Sequence, residues 1–123
     1  MRWFNGFAVV VILGALVCTS CAGRRGPEHF YFGNYSEAEE YYNKAEYQKA
    51  IEKYQAYIDE NPEGNLAVIS RYYIAKSHVA LGNEAQAKEI YRSIKKEYPD
   101  LVWANFADTQ LKELSNTSTH PAS

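Results

Sequence analysis

One apolar stripe occurs twice in this chain, and that repetition restricts what the chain can fold into. In residues 45–62, AEYQKAIEKYQAYIDENP, the apolar positions Tyr47, Ala50, Ile51, Tyr54, Tyr57 and Ile58 recur at spacings of three and four. Such spacing puts them on one face of a helix with about 3.6 residues per turn. Ala50 is small in the middle of the stripe, so a second helix can approach closely there. Pro62 ends the run, because it has no N–H to donate and its ring disfavours helix in the residue before it. The pattern returns in residues 82–99, GNEAQAKEIYRSIKKEYP: Ala50 falls on Ala87, Tyr54 on Tyr91, Pro62 on Pro99 and Ala45 on Gly82, always 37 residues apart. Upstream, Ala38 and Tyr41 match Ala75 and His78 at the same offset. Each unit therefore reads as a helix, a tight turn, a second helix and a proline. Helices with apolar faces this broad need packing partners, and the second unit supplies them to the first.

The periodicity predicts helices over 35–44, 47–60, 66–81, 84–97 and 101–114. Ser36-x-x-Glu39 and Asn83-x-x-Gln86 have the form of capping boxes, and Asn65 and Asp100 stand where N-caps are expected. The last helix carries Leu101, Trp103 or Ala104, Ala107, Leu111 and Leu114 near one face, which suits an element that closes the open end of the second unit. Residues 115–123, SNTSTHPAS, read as a disordered tail.

These features resemble the tetratricopeptide repeat, a helix–turn–helix with small residues at fixed points of both helices, an aromatic in each, and a closing proline. In the first unit, roughly 31–64, the matching positions hold Ala38, Tyr41, Tyr47, Ala50, Tyr54 and Pro62. In the second, roughly 68–101, they hold Ile74, Ala75, His78, Gly82, Ala87, Tyr91 and Pro99. The chain departs from the family pattern at Asn34 and Arg71, where a large residue is usual, and at Glu84, which replaces the second-helix aromatic. The resemblance implies an all-α fold, a right-handed stack of two helix–turn–helix units plus a C-terminal capping helix. It also implies that the first helix of each pair lines a concave groove. Carried over by position, that groove holds Tyr35, Glu39, Tyr42 and Asn43 from the first unit, and Tyr72, Lys76 and Val79 from the second. Since solenoids of this kind usually need about three repeats, two units and one helix favour a protein partner or self-association into a homo-oligomer.

The N-terminus has a different character. Residues 1–20 carry a single charge, Arg2, ahead of an apolar run of 11 residues, Phe7–Val17. This is short for a membrane span, which takes about 20 residues, and fits the core of a secretory signal peptide. Small residues precede Cys21, which resembles the lipobox of bacterial lipoproteins; there a peptidase cleaves before a cysteine that carries lipid. Cys18 occupies the place where that motif usually has leucine, and cleavage before Cys18 would leave bulky Val17 at the cut. The resemblance thus implies lipidation at Cys21, with residues 21–30 as a tether and Ala22 compatible with transfer to the outer membrane. A plain signal peptide, an uncleaved anchor, and a redox or metal role for Cys18-x-x-Cys21 are the rival readings.

The rest of the composition excludes some chemistries. Basic and acidic residues number 13 and 15, with no basic stripe, so nucleic acid is not an expected partner. No Gly-rich phosphate loop or His-x-x-x-His is present. The adjacent carboxylates Glu39–Glu40 and Asp59–Glu60 point about 100° apart on a helix and cannot act as a facing acid–base pair. His78 falls on a helix interface where the family has an aromatic. No catalytic residue, metal ligand or cofactor is expected; a small hydrolase using surface carboxylates is the weakest reading. The expected function is a lipid-anchored adaptor of the bacterial cell envelope, at the outer membrane facing the periplasm. It resembles, in reduced form, the repeat segments of outer-membrane assembly lipoproteins and of periplasmic envelope-division coordinators. Its ligand would be a protein or peptide in the groove. Eleven tyrosines supply contact area, since a tyrosine ring packs while its hydroxyl stays hydrated.

Overall fold

A computed structural model describes residues 30–118. The leader, Cys18, Cys21 and the tether up to residue 29 lie outside them, as do residues 119–123. Among the described residues five helices follow one another: α1 (Asn34–Asn43), α2 (Tyr47–Glu60), α3 (Asn65–Ala80), α4 (Glu84–Glu97) and α5 (Val102–Thr117). Each packs chiefly on its neighbour in sequence, while α3 also touches α1 and α5. The architecture is the expected all-α stack of two helical hairpins closed by a fifth helix.

The 37-residue offset is written into the backbone as well as the sequence. At the first hairpin turn the Glu46 N–H donates to the Tyr41 carbonyl at 2.9 Å; at the second, Asn83 donates to His78 at 2.8 Å. Ala45 donates to Tyr42 and Gly82 to Val79, both at 3.0 Å. The helix exits match too, with Asn61 donating to Tyr57 and Tyr98 to Ile94. Even the departures from the family pattern form a pair: the Asn34 amide donates to Glu60 at 2.8 Å, and Arg71 bridges to Glu97 at 2.7 Å. These two polar clips join the start of the first helix in each unit to the end of the second. They occupy the positions where a large side chain would otherwise fill the gap.

Packing follows the small residues. Ala38, Ala50, Ala75 and Ala87 are all fully buried, which lets the helices of each hairpin approach along a line of methyl groups. Two clusters result. One gathers Tyr35, Ala38, Ala50, Tyr54, Ile58, Ala67 and Ile74 between α1, α2 and α3. The other gathers Val68, Tyr72, Ala75, Ala87, Tyr91, Ile94, Ala107 and Leu114 between α3, α4 and α5. Tyr54 and Tyr91, equivalent in the repeat, are the largest fully buried side chains among the described residues.

Both hairpin turns need a residue with positive φ. The second uses Gly82 at 82°, whereas the first uses Ala45 at 61°. A left-handed conformation costs an L-residue about 1–2 kcal/mol, partly offset for glycine by its greater loss of freedom on folding. Ala45→Gly should therefore stabilise the domain by about 0.5–1 kcal/mol, and Gly82→Ala should weaken it by about 1 kcal/mol. A Cβ at position 82 would meet nothing within 4 Å, so the second cost is backbone strain alone. Urea titration of both variants checks the opposite signs.

Several local expectations are corrected. Ser36 does not cap α1. Gly33 is the N-cap, and the Ser36 hydroxyl, inside the first turn, accepts from the Phe32 N–H at 2.9 Å. Gly64 takes the N-cap position expected of Asn65, and Leu101 that expected of Asp100, each one residue away. Asn83 is the N-cap of α4, but its side chain makes no capping bond. Pro62 and Pro99 are exposed: each lies just past a helix end and stops it without packing. Gly82 is likewise exposed and serves the turn only. The expected tail from 115 is helical to Thr117, where the Ser115, Thr117 and Ser118 hydroxyls donate to carbonyls of the last turns.

Candidate functional site

Tyrosines from three helices converge in the first half of the stack. Tyr42 of α1 meets Tyr73 of α3 edge to face, with centroids 5.1 Å apart and planes at 79°. Tyr42 also stands edge-on to Tyr47 of α2 at 5.4 Å. Tyr73 stacks on Tyr54 at 5.8 Å and 20°. Perpendicular and offset arrangements of this kind suit the ring quadrupole, so the four rings hold one another in place. Between them opens a cleft of about 80 Å³ lined by Glu39, Tyr42, Asn43, Tyr54 and Tyr73. The row continues through Tyr72 to Trp103, 5.2 Å away, and on to Phe106, which is exposed at the start of α5.

The seven residues expected in the groove are divided between the cleft and the core. Glu39, Tyr42 and Asn43 line the cleft together. Lys76 is half-buried, with its ammonium 5.8 Å from the Tyr73 centroid. Val79 packs against the second core cluster. Tyr35 and Tyr72 are buried and belong to the core. Tyr35 meets Tyr54 and Tyr57 of α2 edge-on, and Tyr72 sits against Tyr91 of α4 and Trp103 of α5. The sequence reading missed Tyr73. Its equivalent in the first unit is Ser36, so the repeat itself concealed an aromatic; its position 100° round the helix from Tyr72 was the available signal.

Charge in the cleft comes from Glu39. Burial raises the pKa of Tyr35, and the neighbouring Glu39 carboxylate raises it further. Burial also raises Tyr42, Tyr54 and Tyr72. Tyr35, Tyr42, Tyr54 and Tyr72 therefore remain neutral phenols. Elsewhere Glu37 bonds Lys53 at 2.5 Å and accepts from Tyr31 at 2.8 Å, which pins the segment before α1 onto α2. Both contacts hold the Glu37 carboxyl below its ordinary pKa, the Lys53 bond the more strongly.

His78 packs as expected at the end of α3. It is 9 % exposed, and its Nδ1 has no hydrogen-bond partner. Burial lowers its pKa below the ordinary value. The folded state thus takes up a proton less readily than the unfolded chain, and stability falls as pH drops through about 6.5 and below. His78→Phe should remove that part of the pH dependence while preserving the packing, which urea midpoints measured between neutral and mildly acid pH would check.

Among the described residues, no group of three His, Cys, Asp or Glu side chains is placed to hold a metal, and no helix is long and apolar enough to cross a membrane. What the geometry offers is contact area and an aromatic-walled pocket with a carboxylate, which is equipment for binding. Residues 70–101 match the family model of the tetratricopeptide repeat. That span holds most of α3 and all of α4, and the first unit reproduces its hydrogen bonds 37 residues upstream. Fold and match together define a tetratricopeptide-like stack. No curated protein matches this chain.

Proposed function

We propose that this protein is a lipid-anchored adaptor of the bacterial cell envelope whose helical stack holds a protein partner. The observation that carries the binding role is the tyrosine-walled cleft, in which Tyr42 and Asn43 of α1 and Tyr73 of α3 face one space that no side chain of the described chain fills. Rigid aromatic rings give large contact area at low entropic cost, and Glu39 fixes orientation. The envelope role is supported by the apolar run Phe7–Val17, the small residues before Cys21 and Ala22 after it. On this reading Cys21 carries the lipid, the domain faces the periplasm from the outer membrane, and the partner belongs to an assembly or secretion machine.

Two experiments test the two halves. Labelling living cells with a palmitate analogue should mark the wild-type chain and leave Cys21→Ala unmarked; equal labelling would remove the anchor. A photo-crosslinker at the exposed position Asn43 should capture a different protein. Capture of this same chain alone would replace the adaptor with a self-associating structural protein.

A further inference from the structure

The 37-residue register extends to a third helix. Shifted by that offset, α3 (Asn65–Ala80) lands on α5 (Val102–Thr117) end to end. Helix α5 is therefore placed as the first helix of a third unit. Its buried residues fit: Ala104, Ala107 and Leu114 correspond to Ala67, Ser70 and Ser77, all buried in α3. Val68, Tyr72 and Ala75, which pack against the later part of the stack, correspond to Asn105, Thr109 and Lys112, and these are polar. The three first helices also share one position that carries charge. Glu39 on α1, Lys76 on α3 and Glu113 on α5 are equivalent, so the signs run negative, positive, negative across the face.

Glu39 is the member of that row set in a cavity. Among the described residues no lysine, arginine or histidine forms an ion pair with it. Aromatic rings such as those beside it attract cations; the Tyr73 ring already has the Lys76 ammonium 5.8 Å from its centroid, which leaves the Tyr42 ring for an incoming cation. Asn43, exposed at the rim, offers an amide to a passing backbone. A carboxylate within aromatic walls suits a cation and repels an anion.

We propose that the Glu39–Tyr42–Tyr73 cleft takes the cationic end of a lysine or arginine side chain from an extended segment of the partner. This deepens, and rests on, the adaptor reading. The cleft's size admits one such side-chain end, with the guanidinium or ammonium against the Tyr42 ring and paired to Glu39. The Lys76 position then favours an acidic residue further along the same segment, and Glu113 a second basic one.

The test uses the full chain, isotope-labelled in detergent micelles, and three capped tripeptides: Ala-Arg-Ala, Ala-citrulline-Ala and Ala-Glu-Ala. Citrulline keeps the shape of arginine without its charge. The arginine peptide should shift the Asn43 and Tyr73 amides saturably, and the citrulline and glutamate peptides should bind at least about tenfold more weakly. Glu39→Gln, with its helicity checked by circular dichroism, should lose about tenfold for arginine alone. Tyr42→Leu, which keeps an apolar wall but no ring, should lose several-fold. Equal binding of arginine and citrulline, equal or tighter binding of the glutamate peptide, or an unchanged Glu39→Gln would overturn the proposal. If none of the peptides binds while the Asn43 crosslinker still captures a different protein, the cation site falls and the adaptor stands.

Discussion

Tyr91→Ala should come close to unfolding this domain, while Tyr91→Phe should make it more stable. The ring is 0 % exposed and sits at the centre of the second cluster, against Tyr72 of α3 at 5.6 Å. Removing a buried aromatic costs about 3–5 kcal/mol, from lost transfer energy and the cavity left behind. A domain of this size holds roughly 5–10 kcal/mol in total, so the alanine variant should melt early and broadly. The hydroxyl works in the other direction. It is buried without a hydrogen-bond partner, and burial pushes its pKa up. An unpaired buried polar group costs about 1–3 kcal/mol. Deleting that oxygen should return about 1 kcal/mol, readable as a higher urea midpoint with unchanged slope. A destabilised Tyr91→Phe would show that the hydroxyl has a partner, a buried water for instance.

Ending the chain after Pro99 should abolish cooperative folding. Helix α5 covers Tyr91 and Ile94 with Ala107 and Leu114, and brings Leu101, Trp103 and Leu111 against the same cluster. Each large apolar side chain returned to water forfeits about 1.5–3 kcal/mol. Losing Leu111, Leu114 and the Trp103 contact, with the face beneath them, exceeds about 5 kcal/mol. That is comparable to the whole stability of a domain this small. A chain of residues 1–99 should show a shallow thermal transition by circular dichroism. A sharp transition within a few degrees of the full chain's would mean that the two hairpins suffice. Helix α5 is thus expected to be required for cooperative folding. Its outward residues Asn105, Thr109 and Lys112 are polar.

Three of the residues expected in a groove line the cleft, and two belong to the core. Glu39, Tyr42 and Asn43 lie where a groove-lining helix puts them, and the cleft opens there. Tyr73 was hidden because its repeat partner is Ser36, and Tyr35 and Tyr72 were misplaced on the surface. A tyrosine is ambiguous by nature: the ring suits a core and the hydroxyl suits water, so its identity does not say which way it turns.

Sequence by itself determined the helices, their order and the repeat. A spacing of three and four leaves one apolar face per helix, buried alanines at 50 and 87 set where helices cross, and prolines at 62 and 99 stop them. Tertiary structure alone decided which tyrosines became core and which became walls of a cleft. A helix in isolation has a face but no neighbour, and a ring is buried or open only relative to the helix that arrives against it. The unpaired hydroxyl of Tyr91, the clips from Asn34 and Arg71, and the carboxylate of Glu39 left among rings all belong to that second kind of information.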